Sequence, residues 1–328
     1  MNRTPLLEAY SLTKYFPIGG TFFKKRYIRA VEDVSFTIYE DDPIVINLAG
    51  ESGSGKTTIA NMILGLIKPT KGEVRYRGRN IYKLSKGEWR NYRRDIQAVF
   101  QDPYGIYNPF YRIDRVLKIP IVKFKLASSK SEEQKIIFNA LEAVGLRPKD
   151  VLGRYPHQLS GGERQRVMLA RLHIVKPKVL VADEPVSMID ASLRSIFLNT
   201  LLEFKKQYGM SCLFITHNLI HAEFLGGRLL ILYRGRILER GSVRSIIEKP
   251  AHPYTRILIS SIPTSDPKKR WKEKLELKTS ELTSSGEVDG CRFYGRCPYR
   301  MEVCAKKMPE MVPVEEDHQV ACHLYSKM

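Results

Sequence analysis

The sequence predicts an α/β protein with a mostly parallel sheet, built around a phosphate-binding loop. Three observations carry this expectation. An apolar run, Ile44 to Ala49, leads into Gly50-Glu51-Ser52-Gly53-Ser54-Gly55-Lys56-Thr57, and a helix-forming run, Thr58 to Ile67, follows. A P-loop needs strand, glycine-rich loop and helix in that order. A second apolar run, Lys178 to Asp183, ends in the carboxylates of Asp183 and Glu184, just before Pro185. From residue 178 to 250 short apolar runs alternate with helical patterns, as when helices join parallel strands.

The elements follow in order. Residues 6 to 80 read as short alternating strands around the P-loop, among them Val34 to Ile38 and Gly72 to Tyr76, and make an antiparallel β portion of a nucleotide-binding core. Within the loop, Gly50, Gly53 and Gly55 let backbone N–H groups curl around phosphates, and the helix start adds positive potential. Lys56 supplies a point charge for β- and γ-phosphates, and Thr57 a hydroxyl for Mg²⁺. Ser52, Ser54 and Thr58 complete the candidate nucleotide-binding set. Residues 84 to 165 are mostly helical in pattern, including Ser131 to Val144. The octet Leu159-Ser160-Gly161-Gly162-Glu163-Arg164-Gln165-Arg166 opens a helical run from Gln165 to Ile174. Leu213 to His217 is a further short strand, ending in a histidine. Beyond Pro263 the pattern fails: residues 264 to 288 read as a linker or exposed strand, and residues 289 to 328 as a cysteine-bearing tail.

The P-loop, the Ser-Gly-Gly-Glu octet, the strand ending in Asp183-Glu184 and the strand ending in His217 together resemble the ATP-binding subunits of ABC transporters. The resemblance covers residues 6 to 262, with residues 84 to 165 as the helical subdomain. It implies that ATP and Mg²⁺ bind, that Asp183 helps to hold Mg²⁺, and that Glu184 is the general base toward the attacking water. It implies that His217 contacts the γ-phosphate, and that Gln101, in Phe100-Gln101-Asp102-Pro103, senses Mg²⁺ and water. Phe16 is the best candidate to stack on adenine, with Tyr15 close behind. Ser160, Gly161, Gly162 and Gln165 would face the ATP of a second subunit, so that ATP closes a head-to-tail dimer. Asp190, in Ser187-Met188-Ile189-Asp190, would couple the two nucleotide sites.

The stretch Ala251-His252-Pro253-Tyr254-Thr255 through Pro263 and the segment Gly290-Cys291 to Cys297-Pro298 narrow the resemblance. They are similar to ATPase subunits of the oligopeptide/dipeptide importer family, and the resemblance then spans nearly the whole chain, with residues 263 to 328 as its C-terminal extension. The implied partners are two membrane permeases, a second ATPase subunit (a homologue, or alternatively a second copy of this chain) and, indirectly, an extracytoplasmic binding protein; the implied place is the cytoplasmic face of the membrane. Some similar subunits serve oligosaccharide importers. The chain departs from the family's frequent forms at Ile106-Tyr107, Met188-Ile189 and Asn218, without losing a catalytic group.

Four of the five cysteines, Cys291, Cys297, Cys304 and Cys322, fall in the tail. Grouped cysteines of an intracellular protein suit zinc or an iron–sulfur cluster better than disulfides. Their spacing lacks the close Cys-x-x-Cys pairs of zinc ribbons, and the resemblance implies a 4Fe–4S cluster, with Zn²⁺ as the alternative. Cys212, in an apolar strand, reads as a small core residue.

Composition narrows the classes. Hydrophobic residues make up 43% of the 328 residues, ordinary for a globular protein. No apolar run reaches the length of a membrane span, and Met1 to Phe16 lacks a signal peptide's apolar centre. The formal charge is +19 and the isoelectric point near 9.7. Such a charge suits an anionic membrane surface or nucleic acid, but the basic residues are spread along the chain, with only a modest cluster at Lys268 to Lys278. A solvated basic surface is the simpler reading, and no nucleic-acid partner is expected. A soluble ABC ATPase acting on nucleic acid is the alternative; one P-loop and the absence of sustained heptads before the octet speak against it.

Overall fold

The structure, a computed structural model, describes residues 3–18, 26–101, 107–187, 189–261 and 289–326. They form two compact units. The first takes the chain up to Leu6, Ile38–Ile44 and Tyr76–Leu213; the second takes Leu7–Thr37, Val45–Arg75 and the chain from Phe214 onward.

The N-terminal stretch carries β1 (Pro5–Pro17), β2 (Tyr27–Tyr39), β3 (Val45–Ala49), α1 (Lys56–Ile63) and β4 (Lys71–Tyr76). β3 is buried at every position, which is why it reads as a continuous apolar run rather than an alternating one. α1 begins directly after the loop and stops at Ile63, four residues short of the helix-forming run. Gly65 takes a φ of 70° there, a conformation that ends a helix and suits glycine.

The middle of the chain carries β5 (Arg79–Asn80), α2 (Lys86–Asp95), β6 (Ile96–Val99), α3 (Ile113–Phe124), α4 (Lys130–Ala143), α5 (Pro148–Val151), α6 (Gly161–Val175), β7 (Val179–Asp183), α7 (Ala191–Tyr208) and β8 (Ser211–Thr216). Serines set several helix starts: Ser85 and Glu88 form a capping box at α2, and Ser129 accepts from the Glu132 N–H at α4. Each satisfies a donor that the first turn leaves open. β6 lies inside the stretch expected to be helical. It pairs in parallel with β7, Gln97 opposite Leu180 and Val99 opposite Ala182. Four residues are too few to show a period in the sequence, so only the pairing reveals the strand. Cys212 is buried in β8, as a core residue.

The C-terminal stretch adds α8 (Leu219–Leu225), β9 (Arg228–Tyr233), β10 (Arg236–Ser242), α9 (Val243–Glu248), α10 (Pro253–Ser260), α11 (Glu302–Lys306), β11 (Met311–Glu315) and β12 (His318–Ala321). β9 runs parallel to β3, with Leu48 opposite Leu230. β9 and β10 form a hairpin closed by Arg234 (φ 42°) and Gly235 (φ 82°), both left-handed as a two-residue type I′ turn requires. The tail extends this sheet: β12 pairs antiparallel with β10, Glu239 opposite Val320, and β11 pairs with β12. The sequence shows only a cysteine-bearing tail here, because these strands are five and four residues long, β11 contains Pro313, and the two are joined by a two-residue turn without glycine, Glu316-Asp317. The parallel pairing expected of the core is present at β3–β9 and β6–β7; β9, β10, β12 and β11 make an antiparallel flank.

Two features fasten the tail within the second unit. Phe293 is fully buried, with ring centroids 5.3 Å from Tyr233 and 5.5 Å from Tyr254. Burying a ring of this size stabilises by about 2–3 kcal/mol. The buried Glu239 carboxylate accepts from the Ala251 and His252 N–H groups, both at 2.8 Å, and lies 2.6 Å from His318 Nε2 of β12. A buried carboxylate persists only when its oxygens are satisfied in this way. Among the described residues no helix is long and apolar enough to cross a membrane.

Candidate nucleotide site

The P-loop lies in the second unit, between β3 and α1. Two of its glycines are required by close approach. A Cβ at Gly50 would lie 2.1 Å from the Leu232 carbonyl oxygen, and one at Gly55 2.3 Å from that of Ala30; no larger residue fits either place without moving the backbone. The tip of the β9–β10 hairpin holds the loop from outside: the Gly235 N–H donates to the Ser54 carbonyl at 2.8 Å. Ser54 and Lys56 are buried. The Lys56 ammonium donates to the carbonyls of Gly50 (2.7 Å) and Glu51 (2.8 Å). Gly53, with a φ of 77°, lets the chain turn over the helix start. Ser52, Thr57 and Thr58 complete the curl, Ser52 and Thr57 being exposed and Thr58 half-buried. A narrow, glycine-lined backbone cradle at a helix N-terminus with a buried lysine at its base fits a polyphosphate.

His217 belongs to the same unit and is exposed directly after β8. The turn around it is tight: the Asn218 N–H donates to Thr216 Oγ1 at 2.9 Å, and Asn218 Oδ1 accepts from the Ile220 N–H at 3.0 Å. Asn218 therefore caps α8, a task that asparagine performs as well as aspartate, and the departure at this position costs nothing structurally. Phe16, near the end of β1, has an exposed ring with the Lys14 ammonium 5.3 Å from its centroid. Tyr15 beside it is half-buried.

The remaining candidates lie in the first unit. Asp183 is buried at the end of β7. Glu184 follows with a φ of 46°, uncommon for a residue other than glycine and a local strain of about 1 kcal/mol or more. The Ser187 N–H and hydroxyl both reach the Glu184 carbonyl, at 3.2 and 2.9 Å, and hold this turn. The helix of the octet begins earlier than its apolar pattern does. α6 starts at Gly161, with Ser160 as N-cap accepting from the Glu163 N–H and Glu163 returning to the Ser160 N–H. That capping box also lowers the Glu163 pKa below the usual carboxylate range, through the hydrogen bonds from Ser160. At Gly162 a Cβ would lie 2.6 Å from Leu193 of α7.

One buried contact joins two of the candidate groups: Gln165 Nε2 donates to the Pro185 carbonyl at 3.0 Å. α6, the helix of the octet, is thereby linked to the turn that carries Glu184. Asp190 is exposed and stands at the N-cap of α7 without a side-chain cap bond; Met188 lies outside the described residues. Gln101 is exposed, and Asp102 to Ile106 after it lie outside the described residues. In the sequence Tyr107 stands out only as a departure from the family's frequent pattern. It is buried, and its hydroxyl donates to the Arg164 carbonyl of α6 at 2.8 Å; an isolated tyrosine in a loop gave no signal of this.

The tail cysteines answer the expectation in part. Cys291, Cys304 and Cys322 are buried and Cys297 half-buried. They lie near enough for their charges to act on one another, and burial pushes the Cys291 and Cys322 thiols up to about 11. Yet among the described residues no group of three or more His, Cys, Asp or Glu is arranged to hold a metal ion. Cys291 and Cys304 pack instead in the apolar cluster around Phe293, and Cys322 in a separate cluster with Val320. As folded, the described thiols do not form the expected ligand set, and His323 is bonded to the Lys307 carbonyl at 2.8 Å.

Comparison with known proteins defines the class. The family described as ABC transporter matches residues 31–187. The solved dimeric structure of MJ0796, a bacterial ABC transporter cassette, superposes with a TM-score of 0.63 at 28% identity, covering 73% of this chain and 99% of that one; its post-hydrolysis state bound to ADP and Pi gives the same values. The chain is an ATP-binding-cassette ATPase. The family described as oligopeptide/dipeptide transporter, C-terminal region, matches residues 238–304. The probable peptide ABC transporter ATP-binding protein y4tS of Sinorhizobium fredii is 38% identical, over 97% of this chain and 90% of its own. The oligopeptide transport ATP-binding protein OppF of Haemophilus influenzae is 36% identical, over 98% of this chain and 97% of its own. The chain belongs to the family of ATP-binding subunits of oligopeptide/dipeptide ABC transporters.

Proposed function

We propose that this subunit hydrolyses ATP to power the import of peptides through a membrane ABC transporter. The observation that carries the proposal is the pairing, in one chain, of a complete P-loop cradle with a C-terminal region of the oligopeptide/dipeptide type. The relatives' names favour peptides over oligosaccharides and over nucleic acid as the thing acted on. Lys56 and the loop amides bind the phosphates, Thr57 and Asp183 hold Mg²⁺, and Glu184 accepts the proton of the water that attacks the γ-phosphorus as the β–γ bridging bond breaks toward ADP. Bound Mg²⁺ supplies charge neutralisation at the phosphate oxygens. His217 orients water and γ-phosphate, Gln101 reports on both, and Phe16 stacks on adenine. Ser160, Gly161, Gly162 and Gln165 contact the ATP of a second, homologous subunit, and Asp190 couples the two sites.

The partners in this reading are two permeases, with an extracytoplasmic binding protein beyond them, and the subunit sits at the cytoplasmic face of the membrane. Phe110 is 83% exposed and Val122 60%, apolar surface that suits a protein partner. Reconstitution of the subunit with its partners tests the function. Peptide-loaded binding protein is expected to stimulate ATP hydrolysis; stimulation by oligosaccharide alone would overturn the cargo.

The reading of the tail as a 4Fe–4S or zinc site rests on the grouping of four cysteines in the tail sequence, Cys291, Cys297, Cys304 and Cys322. Metal and acid-labile sulfide analysis of protein purified without oxygen tests it. About four irons with sulfide would establish the cluster, one zinc a structural clip, and metal-free protein would leave the thiols as packing groups.

A further inference from the structure

Glu51 is the hub of the P-loop, and every group it offers is engaged. Its carbonyl accepts the Lys56 ammonium at 2.8 Å and the Ser54 N–H at 3.2 Å. Its own N–H, which could otherwise turn toward a phosphate, donates to the Tyr254 hydroxyl at 2.9 Å. Its carboxylate is gripped at both oxygens by Arg296, at 2.8 and 3.0 Å. Arg296 comes from the tail, 245 positions along the chain, and its guanidinium also lies 5.8 Å from the Tyr233 ring and 5.7 Å from that of Phe293. The arginine is three-quarters buried and Tyr254 fully so. A bidentate guanidinium–carboxylate pair fixes direction as well as distance, and an arginine seated on aromatic faces has little freedom to lose.

We propose that Arg296 of the C-terminal tail is a positioning residue for ATP binding, acting with Tyr254 through Glu51 on the P-loop. The tail then does more than extend the sheet. It grips the side chain of Glu51 while Tyr254 of α10 holds the N–H of the same residue, and the Glu51 carbonyl is one of those on which the Lys56 ammonium stands. The proposal rests on the reading of the P-loop as the ATP site. It concerns a contact that the P-loop motif does not contain, since neither the tail nor α10 is part of that motif.

The test uses the full-length subunit, with a fluorescent ATP analogue for Kd, steady-state hydrolysis for KM and kcat, and thermal unfolding as a control. Arg296→Gln and Glu51→Gln are each expected to weaken ATP binding roughly three- to tenfold, the effect of losing one charge-assisted pair. The loss should appear in KM rather than in kcat. The double variant should lose no more than either single one, because both remove the same pair. Arg296→Lys should recover part of the loss. Arg292→Gln breaks a different tail contact, the ion pair with Glu32, and should leave Kd within about twofold of the parent. An Arg296→Gln protein that unfolds more easily yet binds ATP normally overturns the proposal. So do losses that multiply in the double variant, or an equal loss in Arg292→Gln, which would make tail docking in general the cause. Failure of the unaltered protein to bind the nucleotide would instead sink the assignment of the loop.

Discussion

The helix that begins at Lys56 and the helix that begins at Gly161 both present a glycine-rich N-terminus suited to phosphate, and they are held in opposite ways. The first is braced from outside. Gly235 of the β9–β10 hairpin bonds to Ser54, Tyr254 of α10 bonds to Glu51, and Arg296 of the tail grips the Glu51 carboxylate. The second is capped from within: Ser160 is exposed, and its bonds go to Glu163 three residues on. A braced end is a site completed by its own chain. An end that satisfies itself with four consecutive residues and leaves its serine at the surface can serve a ligand brought by another molecule. The difference is what the proposed nucleotide site, shared between two subunits, would require of each half.

The comparison can be broken or sharpened in several ways. The largest effect is expected at neither end but at the base. Glu184→Gln should lower turnover by roughly a hundredfold to ten-thousandfold, the range for loss of a general base, with ATP binding retained. Single-turnover hydrolysis and nucleotide binding measured together check it, and substantial remaining turnover would refute the assignment. Next comes the bracing side. Phe293→Ala should cost about 3–5 kcal/mol of stability, read by denaturant unfolding, because the ring is wholly buried between Tyr233, Tyr254 and His252. At the self-capped end, Ser160→Arg should leave Kd for ATP at the subunit's own P-loop unchanged while cutting hydrolysis by the assembled pair of subunits. Loss of ATP binding by the isolated subunit would contradict a role in trans.

The bracing side also carries the pH dependence. Burial brings His252 down to about 4, against the smaller upward pull of Glu239. Below about pH 6.5 the unfolded chain takes up a proton that the folded chain refuses, so stability should fall with pH until it levels near pH 4. The loss between pH 7 and pH 5.5 is about 1 kcal/mol. His252→Asn, which keeps an acceptor for the Tyr254 N–H, should flatten that part of the stability profile. The smallest effect belongs to the cap itself: Ser160→Ala should cost about 1 kcal/mol or less, measured in the same unfolding experiment.

Much of this was legible in the order of residues. Lys56 and Asp183 lie where strand, loop and helix patterns put them, because each is fixed by neighbours within a few positions, whereas the helix of the octet starts at Gly161, four residues before its pattern. The P-loop glycines show the limit. Their presence is a local motif, but the reason Gly50 and Gly55 admit no side chain is the backbone of Leu232 and Ala30, which no local pattern reveals. β6 and the tail strands escaped for a related cause: β6, β11 and β12 are each too short to show a period, and the partners of β11 and β12 lie in β10 or in each other.

By itself, then, the sequence determined the class: an ATP-binding cassette with a P-loop lysine, a strand ending in two carboxylates, and a tail rich in cysteine. Tertiary structure alone decided what that tail touches. Arg292 and Arg296 stand among cysteines and aromatic residues as ordinary basic positions, and only folding sets them on Glu32 and on Glu51. The physical reason is range. Motifs record bonds closed within a turn of helix or a short loop, whereas an ion pair spanning 245 positions is visible only when the chain between has folded and brought its ends together.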